Sequence, residues 1–259
     1  MRIALVSMDQ RWEQPEANLV ACRELAATAR SMGADLAVFP EMTLTGFTMN
    51  ATSFSEPPEA SPAIAAFSDI AADLSMACAF GVILDGRDRP TNTMVLVDSA
   101  GREVARYAKL HPFSYAGEDA IYEAGETLAV ARLDDVAFGL AVCYDLRFPG
   151  MFAELAPRCD ALLVIANWPG QRIQHWETLL RARAIEGQCS VIGVNRTGSD
   201  GNGIVYPRSS LAFDAMGRPL PVVATAGVID VVQLDAAAVA AWRAEFPVLR
   251  DRRPDRYAI

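Results

Sequence analysis

One cysteine of the chain, Cys143, stands where a thiol could act as a nucleophile. It follows an apolar run over 136–142 that is typical of a buried strand, and it precedes a polar turn over 144–149. A thiol at such a junction lies at the edge of a sheet, near backbone N–H groups that favour the thiolate and can stabilise an oxyanion. A small buried side chain at a strand end is the alternative interpretation of Cys143.

Three charged residues stand at or shortly after the ends of other predicted strands. Glu41 comes after the apolar run 36–39 and a proline, Lys109 closes the predicted strand 103–108, and Glu118 lies in a polar segment behind it. Taken one at a time, these positions are also typical of solvated surface charges, since lysine and glutamate are seldom fully buried. Glu118 is the least distinctive of the three by itself.

The elements that would carry these residues alternate between strand and helix. The run 3–7 is typical of a strand, Pro15 and Gly33 mark the ends of a helix, and 35–39 is typical of a second strand, which suggests a crossover unit. Further strands are predicted at 80–84, 93–97, 103–108, 128–133, 136–142, 161–166, 190–195, 209–213 and 227–234, and further helices after Ser61, at 151–157, at 173–187 and after Asp235. The segment 197–207 is rich in glycine and serine and predicts a loop.

Composition limits the class of protein. With 52% apolar and 21% charged residues, the 259-residue chain can bury a large core, which excludes disorder as its overall state. The net charge of −9 repels polyanions, so no nucleic-acid partner is expected. The apolar runs are shorter than the ~18 residues of a membrane span, and the first is too short for a signal peptide, so we expect no membrane partner and a cytoplasmic protein. The five widely spaced cysteines predict neither a disulfide framework nor a metal site.

The chain resembles the nitrilase superfamily of carbon-nitrogen hydrolases over nearly its whole length. The resemblance rests on four segments in the order and at the separations of that family, namely PEMTLTGF, YAKLHPF, GEDAIYEAG and AVCYDLRFP. It implies a catalytic triad of Glu41, Lys109 and Cys143, with no metal and no organic cofactor. The implied fold is α/β, a four-layer αββα sandwich, formed as one domain over 1–259 with 246–259 as a C-terminal tail. The family also implies a homodimer or a higher homo-oligomer, with the tail reaching across the interface.

A further glutamate and a backbone group complete the implied site. In the family a second glutamate lies seven residues before a glycine, a spacing that Glu118 and Gly125 fit and that Glu123 fits less well. The resemblance implies that the triad glutamate takes the thiol proton and that the thiolate attacks an amide carbon. The triad lysine and the backbone N–H of Tyr144 would hold the oxyanion. Ammonia would leave, and water would hydrolyse the thioester with the same glutamate as base, oriented by Glu118.

The segment after the cysteine indicates the branch of the superfamily. True nitrilases typically carry Trp-Glu there, whereas this chain has YDLRFP, which is similar to nitrilase-like amidases such as ω-amidases. A small amide is therefore the expected partner, for example 2-oxoglutaramate, a deaminated glutathione-like amide or an N-carbamoyl compound. Arg147 would bind a substrate carboxylate or form a salt bridge beneath the cysteine turn, and Trp168 is expected to contact substrate.

Other functions are compatible with parts of the pattern. A nitrilase or an N-carbamoyl hydrolase of the same superfamily would use the same residues. A non-catalytic scaffold could retain the triad by descent, although a scaffold needs none of its three members. A Cys-His hydrolase would need His111 or His175 as its base, but the first precedes a proline and the second lies in a predicted helix.

Overall fold

The protein consists of two β-sheets with helices on their outer faces. The computed structural model describes residues 1–256. Its strands are β1 (Arg2–Val6), β2 (Leu36–Val38), β3 (Ala77–Leu84), β4 (Thr91–Val97), β5 (Glu103–Ala108), β6 (Val130–Leu133), β7 (Val136–Val142), β8 (Ala161–Ala166), β9 (Ser190–Asn195), β10 (Gly198–Ser199), β11 (Val205–Tyr206), β12 (Leu211–Phe213), β13 (Val222–Ala226) and β14 (Ile229–Gln233). Its α-helices are α1 (Pro15–Ser31), α2 (Pro62–Leu74), α3 (Glu118–Ile121), α4 (Pro149–Leu155), α5 (Ile173–Gly187) and α6 (Ala236–Glu245). Single 3-10 turns lie at Ala51–Ser53, Ser114–Ala116, Cys143–Arg147, Ala156–Arg158, Gly170–Arg172, Val248–Asp251 and Pro254–Arg256.

The larger sheet has seven strands and the smaller has five. Their orders are β13-β14-β1-β2-β3-β4-β5 and β12-β9-β8-β7-β6. Strands β1, β2 and β3 are parallel to one another, as are β7, β8 and β9. Because two antiparallel pairings separate β3 from β5, the strand β5 runs in the same direction as β2. The loops that follow β2 and β5 therefore leave the larger sheet at the same edge.

The sheets pack face to face, and this arrangement confirms the four-layer αββα sandwich. Ile3 and Leu5 of β1 belong to the apolar cluster that also contains β7, β8 and β9. Ala4 and Val6 of the same strand point the other way, into the cluster formed with α1 and α2. Helices α4 and α5 cover the outer face of the smaller sheet. Central strands are thus buried on both faces, which explains why their sequences are continuously apolar.

Local signals fix the starts of several helices where the sequence predicts them. Pro15 is the first residue of α1, and Pro62 is the first residue of α2. The Ser61 hydroxyl accepts a 3.1 Å hydrogen bond from the backbone N–H of Ile64. Asp235 caps α6 in the same way. Such caps satisfy backbone donors that have no acceptor within the helix.

The structure differs from the sequence-based prediction at four elements. The predicted loop 197–207 contains the small antiparallel hairpin β10-β11. The strand β13 was absent from the prediction, because its residues at the sheet edge are mostly exposed and lack an apolar alternation. The helix predicted at 151–157 runs over Pro149–Leu155, with a 3-10 turn after it. The four-residue helix α3 is too short to produce a helical period.

The C-terminal segment packs against its own chain where the structure describes it. Arg252 donates hydrogen bonds to the Ala153 carbonyl oxygen at 2.6 Å and to the Glu154 carboxylate at 2.7 Å, both in α4. Residues 257–259 of the predicted tail lie outside the described residues. Within 1–256, no helix has the length and apolar character to cross a membrane.

Candidate active site

The four predicted catalytic side chains meet at one end of the sandwich. Glu41 lies in the turn after β2, Lys109 directly follows β5, Cys143 directly follows β7, and Glu118 begins α3. The Lys109 Nζ atom lies 3.1 Å from Glu41 Oε1 and 2.8 Å from Glu118 Oε2. All three charged groups act electrostatically on the Cys143 thiol. The sequence therefore predicted the members of this cluster, while their roles stay predictions.

A strained backbone conformation presents the thiol to a pocket. Cys143 has a φ of 48°, in the left-handed region that residues other than glycine seldom adopt. It is the first residue of the 3-10 turn Cys143–Arg147, whose leading N–H groups have no acceptor within the turn. Both Cys143 and Tyr144 line the pocket. The thiol and the next backbone N–H can therefore face one bound group.

The turn that carries Glu41 is held by close backbone packing. Met42 has a φ of 44°, so a second left-handed residue stands beside the site. The Gln10 side-chain amide donates to the carbonyl oxygens of Glu41, Met42 and Thr43 at 3.0, 2.8 and 3.2 Å. A Cβ on Gly81 in β3 would lie 2.3 Å from the Met42 nitrogen, so only glycine allows this approach.

The charged groups are fully withdrawn from solvent. Glu41 and Glu118 are 0% exposed, and Lys109 is 1% exposed. Lys109 is also the only lysine of the whole chain. Burial alone would lower the pKa of Lys109, but the adjacent carboxylates of Glu41 and Glu118 outweigh burial and raise its pKa above the usual value. The ammonium therefore stays charged throughout the neutral range.

The same surroundings keep the free thiol protonated. Burial raises the pKa of Cys143 well above its usual value, and the carboxylate of Glu41 raises it further, while Lys109 opposes both effects. A thiol in this state is a weak nucleophile, because only the thiolate attacks readily. The site therefore needs a base that removes the proton as the bond to carbon forms.

Two asparagines that the sequence analysis left without a role hold the carboxylates. The Asn92 Nδ2 atom donates to Glu41 Oε1 at 2.7 Å and to Glu118 Oε1 at 2.9 Å. The backbone N–H of Asn167 donates to Glu41 Oε2 at 2.9 Å, and its side-chain amide donates to the Glu41 carbonyl oxygen at 2.7 Å. Nothing in the local sequence around Asn92 marks it, because its partners lie 51 and 26 residues away.

A pocket of about 510 Å³, a volume that includes space open to solvent, lies in front of the thiol. Cys143, Lys109, Tyr144, Arg147 and Trp168 line it. The other lining residues are Phe47, Phe113, Ala116, Asn167, Pro169, Arg172, Ile204 and Tyr206. Both predicted substrate contacts, Arg147 and Trp168, are thus at the pocket wall.

Two guanidinium groups face this pocket without a carboxylate partner. The Arg147 guanidinium lies 4.8 Å from the centre of the Trp168 ring, and the Arg172 guanidinium lies 5.6 Å from the centre of the Phe113 ring. Among residues 1–256 neither forms an ion pair with an acidic side chain; Arg147 Nη2 instead lies 3.3 Å from His175 Nδ1. The predicted salt bridge of Arg147 is therefore absent from the described part of the chain.

The competing residues lie elsewhere. Glu123 accepts hydrogen bonds from the backbone N–H groups of Arg87, Asp88 and Arg89, and these bonds, led by that of Arg87, lower its pKa. His111 Nδ1 lies 2.8 Å from Asp145 Oδ1, and its ring stacks on Phe148. Within 1–256 neither histidine lines the pocket, and no cluster of three metal-ligating side chains occurs.

Fold and site together define the class of protein. The carbon-nitrogen hydrolase family profile matches residues 2–244. The chain belongs to this family of the nitrilase superfamily and is a carbon-nitrogen hydrolase, which confirms the resemblance seen in the sequence.

Individual relatives cover the chain almost completely. It is 34% identical over 255 residues to omega-amidase YafV of Yersinia enterocolitica, a match that spans 97% of this chain and 96% of the relative. A CN-hydrolase superfamily protein from Xanthomonas campestris, with an arsenic adduct in its active site, has a TM-score of 0.91 at 31% identity, covering 100% of this chain and 98% of that one. A mutant amidase from Nesterenkonia sp. AN1, with acrylamide added to its active-site cysteine, has a TM-score of 0.82 at 28% identity, covering 96% of this chain and 98% of that one.

Proposed function

We propose that the protein releases ammonia from a small linear amide through a thioester on Cys143. The observation that carries the proposal is the buried cluster of Glu41, Lys109 and Glu118 around a pocket-facing thiol. Two of its relatives, an omega-amidase and an amidase with an active-site cysteine, support amide chemistry. A nitrilase or an N-carbamoyl hydrolase is the second candidate within the family.

In the first half of the reaction, Glu41 takes the thiol proton and Sγ of Cys143 bonds to the amide carbon. The carbonyl oxygen becomes an oxyanion, which the Lys109 ammonium and the Tyr144 backbone N–H stabilise. Lys109 suits this role because its neighbouring carboxylates keep it charged. The carbon–nitrogen bond then breaks, and the proton held by Glu41 passes to the nitrogen, so that ammonia leaves and a thioester is left.

In the second half, water attacks the thioester carbon while Glu41 accepts a proton from it. The carbon–sulfur bond breaks, the thiol recovers its proton, and a carboxylic acid is released. Glu118 supports Glu41 and Lys109 through the hydrogen bonds that fix the ammonium. Every proton that leaves Cys143 or water thus passes through one carboxylate.

The substrate carries a carboxylate at the end away from the amide, as in the monoamide of a dicarboxylic acid such as 2-oxoglutaramate. The guanidinium of Arg147, which lies over the Trp168 ring and has no acidic partner within 1–256, would bind that group. Arg172 supplies a second positive charge on the same pocket wall. A neutral amide of the same length would leave both cations without a partner.

Ammonia release over a panel of amides, nitriles and N-carbamoyl compounds tests this function. The wild type should favour small carboxylate monoamides. Cys143→Ala should lose all turnover, whereas Cys159→Ala, which alters a buried cysteine away from the pocket, should keep it. Full ammonia release by Cys143→Ala would contradict the proposal, and release from nitriles or carbamoyl compounds alone would support the second candidate.

The assembly and the location stay predictions, the first from the implied fold and the second from the short apolar runs of the sequence. We expect at least a homodimer in the cytoplasm, with the C-terminal tail near the subunit interface. Sedimentation at micromolar concentration should therefore give a mass of two chains or more, and a monomer alone would contradict this expectation.

A further inference from the structure

Asn92 bridges the two buried glutamates with a single amide nitrogen. It lies at the start of β4 and is 2% exposed, and its Nδ2 atom donates to Oε1 of Glu41 and to Oε1 of Glu118. An amide NH2 group has two protons, one for each carboxylate. The Asn92 oxygen is buried and has no hydrogen-bond partner among residues 1–256. A flipped amide would place that oxygen against both carboxylates, so their charges fix the orientation.

Counting hydrogen-bond acceptor sites separates the two glutamates. An ionised carboxylate has about four such sites. Glu118 accepts from Lys109 at both oxygens, from Asn92 at Oε1 and from the Phe113 backbone N–H at Oε2. These four bonds occupy the whole carboxylate. Glu118 therefore has no site left for a proton from the thiol or from water.

Glu41 keeps one acceptor site open. Lys109 and Asn92 donate to Oε1 at 3.1 and 2.7 Å, and the Asn167 backbone N–H donates to Oε2 at 2.9 Å. Both sites of Oε1 are thus occupied, and one site of Oε2 is free. Only this oxygen can accept the proton of Cys143 without breaking a hydrogen bond.

We infer that Asn92 is a positioning residue that directs the thiol proton to Oε2 of Glu41 and prevents Glu118 from acting as the base. The inference rests on the proposed function, in which Glu41 takes the proton of Cys143. An asparagine suits the position because it donates to both carboxylates and adds no charge to a site whose two carboxylates and one ammonium already sum to −1. A proton moving from Sγ to Oε2 leaves all bonds of Oε1 in place.

The role can be separated from a contribution to the fold. The backbone of Asn92 accepts from the Lys109 N–H at 2.9 Å, and any residue at this position keeps that bond. Thr93, the next residue of β4, is equally buried at 2%, and its hydroxyl forms a hydrogen bond with the Thr91 hydroxyl, away from the two glutamates. Thr93→Val is therefore a matched control for loss of a buried polar group in the same strand.

The test compares Asn92→Leu, Asn92→Asp and Thr93→Val in steady-state kinetics across pH. Asn92→Leu should lower kcat by at least about tenfold, as expected for a base that is poorly placed. KM should change little, because Asn92 is outside the set of residues in 1–256 that line the pocket. The acidic limb of kcat/KM in Asn92→Leu should move to higher pH, since a hydrogen-bond donor to a carboxylate favours the ionised form.

Asn92→Asp keeps the shape of the side chain, so it provides a second test of the inference if Asn92→Leu folds poorly. At pH 8 the new carboxylate repels Glu41 and Glu118, whereas at pH 6 a protonated form can still donate one hydrogen bond. Activity relative to the wild type should therefore be lower at pH 8 than at pH 6. Equal ratios at both pH values would overturn the inference.

A spectroscopic readout uses the single lysine. Selective labelling with 15N-lysine gives one Nζ resonance, that of Lys109. It should shift in Asn92→Leu, where the carboxylates around the ammonium rearrange, and stay in place in Thr93→Val. Native kcat, an unmoved acidic limb or an unmoved Nζ resonance in Asn92→Leu would overturn the inference. Turnover by Cys143→Ala would instead overturn the proposed function, so the two failures are distinguishable.

Discussion

Removing the ammonium of Lys109 should destabilise the protein far more than removing a surface charge. In Lys109→Met, two carboxylates with 0% exposure lose the cation that lies 3.1 Å from one and 2.8 Å from the other. Breaking a buried ion pair from one side costs about 3–5 kcal/mol, because an uncompensated charge stays buried. For a chain of this size each kcal/mol lowers Tm by roughly 2–4 °C, so a loss of roughly 6–20 °C is expected.

Urea unfolding at pH 7.5, followed by circular dichroism, measures the loss in the free energy of unfolding, and a thermal scan measures the loss in Tm. Arg102→Met is the control, because that side chain is 79% exposed in its pair with Asp98, and its loss should cost less than about 1 kcal/mol. Removing one of the two negative charges as well, in Lys109→Met/Glu118→Gln, should restore part of the stability. A single variant no less stable than the control, or a double variant less stable than the single, would refute the reasoning.

The other predictions concern the turn, the thiol and the pocket. Gly81→Ala should lower both Tm and turnover, since its Cβ would lie 2.3 Å from the Met42 nitrogen, whereas Gly150→Ala in α4, with no atom within 4 Å, should keep both. Because burial raises the pKa of Cys143, its alkylation by a small uncharged reagent should still accelerate between pH 8 and pH 9.5; a plateau below pH 8 in mass-spectrometric labelling rates would disprove this. Arg147→Gln should raise KM for carboxylate monoamides by at least about tenfold, the value of one lost charge-assisted hydrogen bond, and leave KM for neutral amides unchanged in the same ammonia assay.

The sequence predicted most of the central strands because they are buried on both faces. The run 103–108 matches the partly exposed edge strand β5, and the runs 136–142, 161–166 and 190–195 match the buried strands β7, β8 and β9 at both ends. Continuous apolar runs of this length are typical of such strands. Elements whose stability comes from neighbours were missed, namely the exposed edge strand β13, the hairpin β10-β11 and the single-turn helix α3.

The sequence points to a site residue only where a residue of that type is unusual at its position, such as a charged residue directly after a predicted strand. A charged residue after a predicted strand draws attention to Glu41 and Lys109, but only the resemblance to the nitrilase superfamily, through the order of its motifs, assigned them to one site with Cys143 and Glu118. Asn92 and Arg172 gave no such signal. Their surroundings depend on contacts between residues that are far apart in the sequence. The Asn92 side chain, for example, donates to Glu41 and Glu118, which are 51 and 26 residues away. The left-handed conformations of Met42 and Cys143 were equally invisible, because neither residue is a glycine.

Intact-protein mass spectrometry of Glu41→Gln during incubation with a carboxylate monoamide tests the central claim most directly. Without the carboxylate, both the attack by Cys143 and the thioester hydrolysis lose their base, so turnover should fall by at least about 10²-fold. If hydrolysis slows more than attack, an adduct with the mass of the acyl group should accumulate. Peptide mapping should place it on Cys143, and Cys143→Ala should show none. An adduct on another residue, or ammonia release by Glu41→Gln at the wild-type rate with no adduct at any time, would contradict the thioester mechanism.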